Sequence, residues 1–127
     1  ALRNAAQYRS VSAFAPISAP MQCPWGQKAF SGYLGEDRAA WAQYDASVLV
    51  ESRRYDRPIR IDQGTADKFL TEQLKPELFE AACKRSGTPL QLRRQPGYDH
   101  GYYFISTFME DHLRHHAQFL NASILHD

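Results

Sequence analysis

Long hydrophobic runs are missing from this sequence. No apolar stretch approaches the roughly 18 residues of a membrane-spanning helix, so no membrane is expected as a partner. Cysteine is scarce as well. Cys23 and Cys83 sit at unrelated places and make no disulfide framework, which points to a reducing compartment, the cytoplasm. Neither sign of charge dominates: 15 basic residues against 14 acidic ones leave a net charge of +1, and no electrostatic case for nucleic acid or an anionic membrane. A signal-peptide pattern is absent and the first residue is Ala1, so the chain is expected to be a piece of a longer polypeptide. What is present, 127 residues with 43% apolar content, suits one small globular unit, 1–127.

The most informative stretch is Pro96-Gly-Tyr-Asp-His-Gly-Tyr-Tyr-Phe104. Pro96 and Gly97 stop an apolar run carrying Leu90 and Leu92, and a long helical pattern begins at Tyr102. His100 therefore falls on a turn between a strand and a helix. The ordinary pKa of a histidine suits proton transfer near neutral pH.

Upstream, Ile59 and Ile61 alternate as in a strand, Gly64 ends it, and Asp67 lies in the loop beyond. A helical segment over 77–85 and a short strand over 91–94 separate the two loops, which makes one parallel crossover unit of about thirty residues. Such a unit delivers both loops to the carboxyl edge of a sheet, where open α/β sheets bind ligands. Three acids compete to orient His100. Asp62 lies in or at the end of the strand and reads as structural, Asp99 is too close in sequence to accept from the neighbouring ring, and Asp67 has the suitable loop. Acid then histidine is also the chain order of an α/β-hydrolase triad.

Five motifs carry a resemblance: Ser10-Val-Ser-Ala-Phe-Ala-Pro16, Cys23-Pro-Trp-Gly-Gln-Lys-Ala-Phe30, Tyr33-Leu-Gly-Glu36, Ile61-Asp-Gln-Gly-Thr-Ala-Asp67 and Gly97-Tyr-Asp-His100 with Tyr102-Tyr-Phe104. In these the chain resembles the esterase D family of S-formylglutathione hydrolases, in the family's order and across nearly the whole length. Gly101 stands where the family usually has Ser. The resemblance implies an α/β fold, the carboxyl-terminal part of an α/β-hydrolase with its last three strands and their helices. It implies Asp67 and His100 as two members of a Ser-His-Asp triad, S-formylglutathione and small esters as substrates, formate and glutathione as products, formaldehyde detoxification as the role, and a homodimer as a plausible assembly. The family's nucleophile sits in a Gly-x-Ser-x-Gly elbow, and no serine here, from Ser10 to Ser123, has glycine at both flanking positions. In the family that elbow lies just before the segment matching Ala1-Leu-Arg-Asn4. The chain alone is therefore expected to be inactive, with the missing amino-terminal part of the same enzyme as its partner.

Read in order, the chain begins with a helix end over 2–8, a strand over 11–15 closed by Pro16, and a Pro/Ser/Ala loop over 17–24. Small residues in the strand suit cover on both faces, and a three-strand remnant is expected to leave an apolar edge open. Trp25, beyond a strand's carboxyl end, is the candidate wall of a substrate pocket, the alternative being that Trp25 and Phe30 only pack their segment onto the sheet. A helix over 36–44 carries Trp41, and Asp45 reads as the cap of the next. Arg53, Arg54, Arg57 and Arg60 read as a solvated loop ahead of the strand. Cys83 reads as core and Cys23 as a partly exposed, uncatalytic thiol.

The closing helix carries Phe104, Ile105, Phe108, Met109, Leu113 and Phe119 at three- and four-residue spacings, a stripe for the sheet. His112, His115 and His116 share its faces as metal ligands would, but no glutamate stands where a zinc protease keeps its base. A structural role is the reading, and no metal or other cofactor is invoked. Two rivals to the hydrolase reading remain: a non-catalytic piece that acts only by assembling with its missing half, and a metal-binding module built on the closing histidines.

Overall fold

A computed structural model describes residues 1–125 of the chain. The last two residues of the expected 1–127 unit lie outside the described residues.

Three parallel strands make the sheet: β1 (Val11–Phe14), β2 (Ile59–Gly64) and β3 (Leu90–Gln95), in the order β1-β2-β3. The register pairs Val11 with Ile59 and Ile59 with Leu90, so the strands finish near one another and their following loops share one edge. β2 is buried on both sides: Ile59 and Ile61 enter one core layer while Asp62 lies on the opposite face. The helices are α1 (Pro24–Leu34), α2 (Arg38–Ala42), α3 (Ala46–Ser52), α4 (Pro76–Ser86) and α5 (Tyr102–Leu125).

Sequence chemistry explains most boundaries. Asp45 caps α3 by accepting from the backbone N–H of Ser47 and Val48 at 2.9 and 3.1 Å, and its second oxygen accepts from Met21, a cap that contributes about 1 kcal/mol. Pro76 opens α4, where its missing N–H costs nothing, and Gly87 closes it at φ +77°. The first core cluster lies between β2 and the α3–α4 layer, with Val50, Tyr55, Phe79, Ala82 and Cys83. The second gathers Ala15, Leu74 and Phe104, with Phe14, Phe69, Tyr98 and Phe108 around them.

Several expectations need correction. The first segment is a 3₁₀ helix, Leu2–Gln7, kinked at Asn4. Segment 70–74, to which the sequence assigned no element, forms a turn of π-helix that leads into Pro76. Arg60 does not belong to the solvated loop: it is the second residue of β2, and its guanidinium lies 3.5 Å from Asp62 and 3.7 Å from Asp111. Cys23 is buried, its thiol directed at the Pro20 carbonyl, because the start of α1 packs so closely on Pro20 that a side chain at Gly26 would collide with it. Among the described residues, no helix is long and apolar enough to cross a membrane.

Candidate active site

Beyond β2 the chain runs Thr65-Ala66-Asp67, and beyond β3 it turns through Pro96 and Gly97 to His100. Three hydrogen bonds join the two loops. Thr65 N–H donates to Gln95 O, Ala66 N–H to Tyr98 O, and Gly97 N–H to Thr65 Oγ1, all at 3.0 Å. Gly64 makes this close approach possible, since a Cβ there would overlap the Tyr98 carbonyl, and Gly97 supplies φ +82° for the turn. These bonds hold the two loops side by side and set the separation of their side chains.

Between these loops Asp67 and His100 meet. His100 Nδ1 lies 2.8 Å from Asp67 Oδ2. The carboxylate has no proton to give, so Nδ1–H donates and Nε2 remains the ring's acceptor. Asp67 is fixed from two other sides: Oδ1 accepts from Phe69 N–H at 2.8 Å and Oδ2 from Gln63 Nε2 at 3.1 Å. Its side chain is fully buried, whereas that of His100 is 41% exposed. Phe69 meets the His100 ring edge-on at 5.4 Å, and Trp25 lies against Phe69 at 4.6 Å, so a short aromatic wall runs from α1 to the imidazole. Lys68 places its ammonium 5.1 Å from the Phe69 ring. A half-exposed imidazole, oriented by a buried carboxylate beside an apolar wall, can take and return a proton at Nε2.

Of the other acids, Asp99 is exposed and makes no bond to His100. Asp62 makes a different pair. Its oxygens accept from Arg93 Nε at 2.8 Å, Gln95 Nε2 at 2.9 Å and His112 Nε2 at 2.7 Å. Burial by itself would raise the Asp62 carboxyl, but donation from His112, Arg93 and Gln95 outweighs it and holds the group well below the usual carboxylate range. His112 stacks on Phe14 with ring centroids 3.8 Å apart.

The other closing-helix histidines also pack on strands. His116 bonds Ser10 Oγ at 2.6 Å through Nδ1 and Ser12 Oγ at 2.8 Å through Nε2, and His115 Nε2 lies 3.2 Å from Val11 O. Burial, helped by His116, holds the His115 imidazole below its ordinary range. Among the described residues no cluster of histidine, cysteine and acidic side chains is arranged to hold a metal ion.

Sequence reasoning missed Gln63, Phe69 and the bonds between the loops. One signal for Gln63 was available: it follows Ile59 and Ile61 on the buried face of β2, a polar residue where the alternation calls for an apolar one.

The parallel sheet between helices, with its acid and histidine on successive loops, is that of an α/β-hydrolase fold. The family model described as "Putative esterase" matches residues 1–115, and the chain belongs to that esterase family. An S-formylglutathione hydrolase of Arabidopsis thaliana is 57% identical over 120 residues, and one of Rattus norvegicus is 57% identical over 126. These alignments cover 94% and 96% of this chain but 42% and 44% of the relatives, so the chain spans less than half their length. A solved S-formylglutathione hydrolase from Agrobacterium tumefaciens superposes with a TM-score of 0.89 at 52% identity, over 94% of this chain and 43% of that one. Esterase B from Lactobacillus rhamnosis superposes with a TM-score of 0.61 at 15% identity, over 90% of this chain and 38% of that one, a likeness of fold alone.

Proposed function

We propose that this chain supplies the acid–base half of a cytoplasmic serine hydrolase that cleaves S-formylglutathione to formate and glutathione, a step of formaldehyde detoxification, and also cleaves small carboxylic esters. The observation that carries the reading is the 2.8 Å bond between Asp67 and His100 at the carboxyl edge of the sheet, in a chain more than half identical to S-formylglutathione hydrolases. A serine outside residues 1–127 attacks the formyl carbonyl. His100 Nε2 takes its proton, and Asp67 holds the ring and stabilises the imidazolium. The tetrahedral intermediate then expels the glutathione sulfur, which leaves with the proton from His100. Water repeats the sequence on the formyl-serine, and formate departs. Trp25 and Phe69 form an apolar wall beside the reacting carbonyl.

On this reading the serine and part of the oxyanion hole belong to the preceding polypeptide of the same enzyme, which assembles with this chain, and the complete enzyme forms homodimers. The test is hydrolysis of S-formylglutathione, and of a chromogenic ester, by this chain before and after the upstream region is supplied, with intact mass read from the same tube. Activity only in the completed enzyme is expected. Turnover by this chain alone would overturn the assignment of the nucleophile.

A further inference from the structure

Gln63 is the third residue of β2 on the face that Ile59 and Ile61 commit to the core, and it is 1% exposed. An amide in that position costs stability unless its polar atoms are used, on the order of 1–3 kcal/mol per unmet group. Its nitrogen is used twice, donating to Gly64 O and to Asp67 Oδ2, each at 3.1 Å. Both partners only accept, which fixes the orientation of the amide. Its oxygen, Oε1, is buried with no partner among the described residues. An apolar side chain would avoid that penalty, so the donor side of the amide must account for the residue.

We propose that Gln63 is a positioning residue for the His100–Asp67 pair. The inference rests on the reading of that pair as the acid–base couple of a hydrolase. Asp67 Oδ2 receives two donors, the His100 ring and the Gln63 amide, while Phe69 N–H secures Oδ1. The amide takes one lone-pair direction of the shared oxygen, leaving the other aimed at Nδ1, so the carboxylate cannot rotate away from the ring. It also draws charge from that oxygen, which keeps the proton on Nδ1 and leaves Nε2 as the ring's acceptor. The other charged groups near the ring are Lys68, over Phe69, and Asp99 in the same loop, and neither bonds Asp67.

The experiment is ¹H–¹⁵N NMR of the full chain, parent and Gln63→Met, which keeps the side chain's length and removes its donor. In the variant the His100 Nδ1 proton is expected to move downfield, as its bond to a less occupied oxygen strengthens, while backbone signals away from the two loops stay in place. An unchanged Nδ1 proton in a folded variant would overturn the proposal. The parent chain gives a second readout that does not depend on the variant folding: the Gln63 side-chain amide signals should follow the His100 ring signals as pH is varied. Amide signals that stay fixed while the ring titrates would overturn it equally. Neither readout needs turnover, so failure of the hydrolase reading registers in the hydrolysis assay and failure of this one registers here.

Discussion

Two aspartate–histidine pairs take their acids from β2 and the loop that follows it, and their bonds are nearly equal: 2.8 Å for Asp67–His100 and 2.7 Å for Asp62–His112. Their surroundings differ. His112 is 3% exposed, stacked on Phe14, and its Nδ1 is buried without a partner among the described residues. Asp62 also accepts from Arg93 and Gln95, which spreads its charge over a network that ties β2, β3 and α5 together. His100 has an open face, and its carboxylate accepts only neutral donors besides the ring. An Asp–His bond is thus no mark of catalysis by itself. What distinguishes the pair on the loops is the exposure of its imidazole, 41% for His100 against 3% for His112.

The largest expected effect separates the two histidines by function. In the enzyme completed by its upstream region, His100→Ala should lower turnover by about 10³-fold or more, through loss of the acid–base group. Near-normal hydrolysis by that variant would refute the assignment. His112→Ala should instead act on folding, with a loss of roughly 3 kcal/mol measured as a shift in the urea midpoint, because Asp62 stays buried with one donor fewer and Phe14 loses its stacking partner. Should the midpoint stay put, the structural reading of this pair fails. Gly64→Ala strikes what joins the two regions, and steric overlap with Tyr98 O should cost on the order of 1–3 kcal/mol while spreading the loops and lowering activity in parallel.

Acid should weaken the inner pair in a predictable direction. The folded Asp62 carboxyl lies below its unfolded value of about 3.9, so its contribution to stability is complete above roughly pH 5 and is lost as pH falls. Asp62→Asn should flatten that acid slope in denaturation curves taken across pH 2–6, and an unaltered slope would contradict it. The smallest effect concerns Cys83, whose thiol burial pushes up to about 11. It should resist alkylation at neutral pH in the native protein and react only on unfolding.

How much of this was legible in the sequence follows from the physics of each element. The parallel unit of β2, α4 and β3 declared itself through local signals: alternating isoleucines ended by Gly64, and Pro96 and Gly97 at the turn after β3. Asp67 and His100 could be selected because each lies on a loop after a strand. The π-helical turn of segment 70–74 had no local signature, and the burial of Cys23 depends on α1 seating against Pro20, which spacing does not reveal. Arg60 was grouped with the loop arginines although it stands between Ile59 and Ile61, and its place beside Asp62 and Asp111 depends on the packing of α5 on the sheet. The Asp62 network draws together residues 18 to 50 positions apart, and only the stacking of α5 on the sheet makes them neighbours.

One measurement tests the central claim most directly: mass spectrometry of the completed enzyme after reaction with an organophosphonate ester, for the parent and for His100→Ala. The account predicts an adduct on a serine outside residues 1–127 in the parent and little labelling in the variant, because His100 activates that serine. An adduct on this chain, with Ser10 or Ser12 beside His116 as the sites to inspect, or equal labelling without His100, would contradict it.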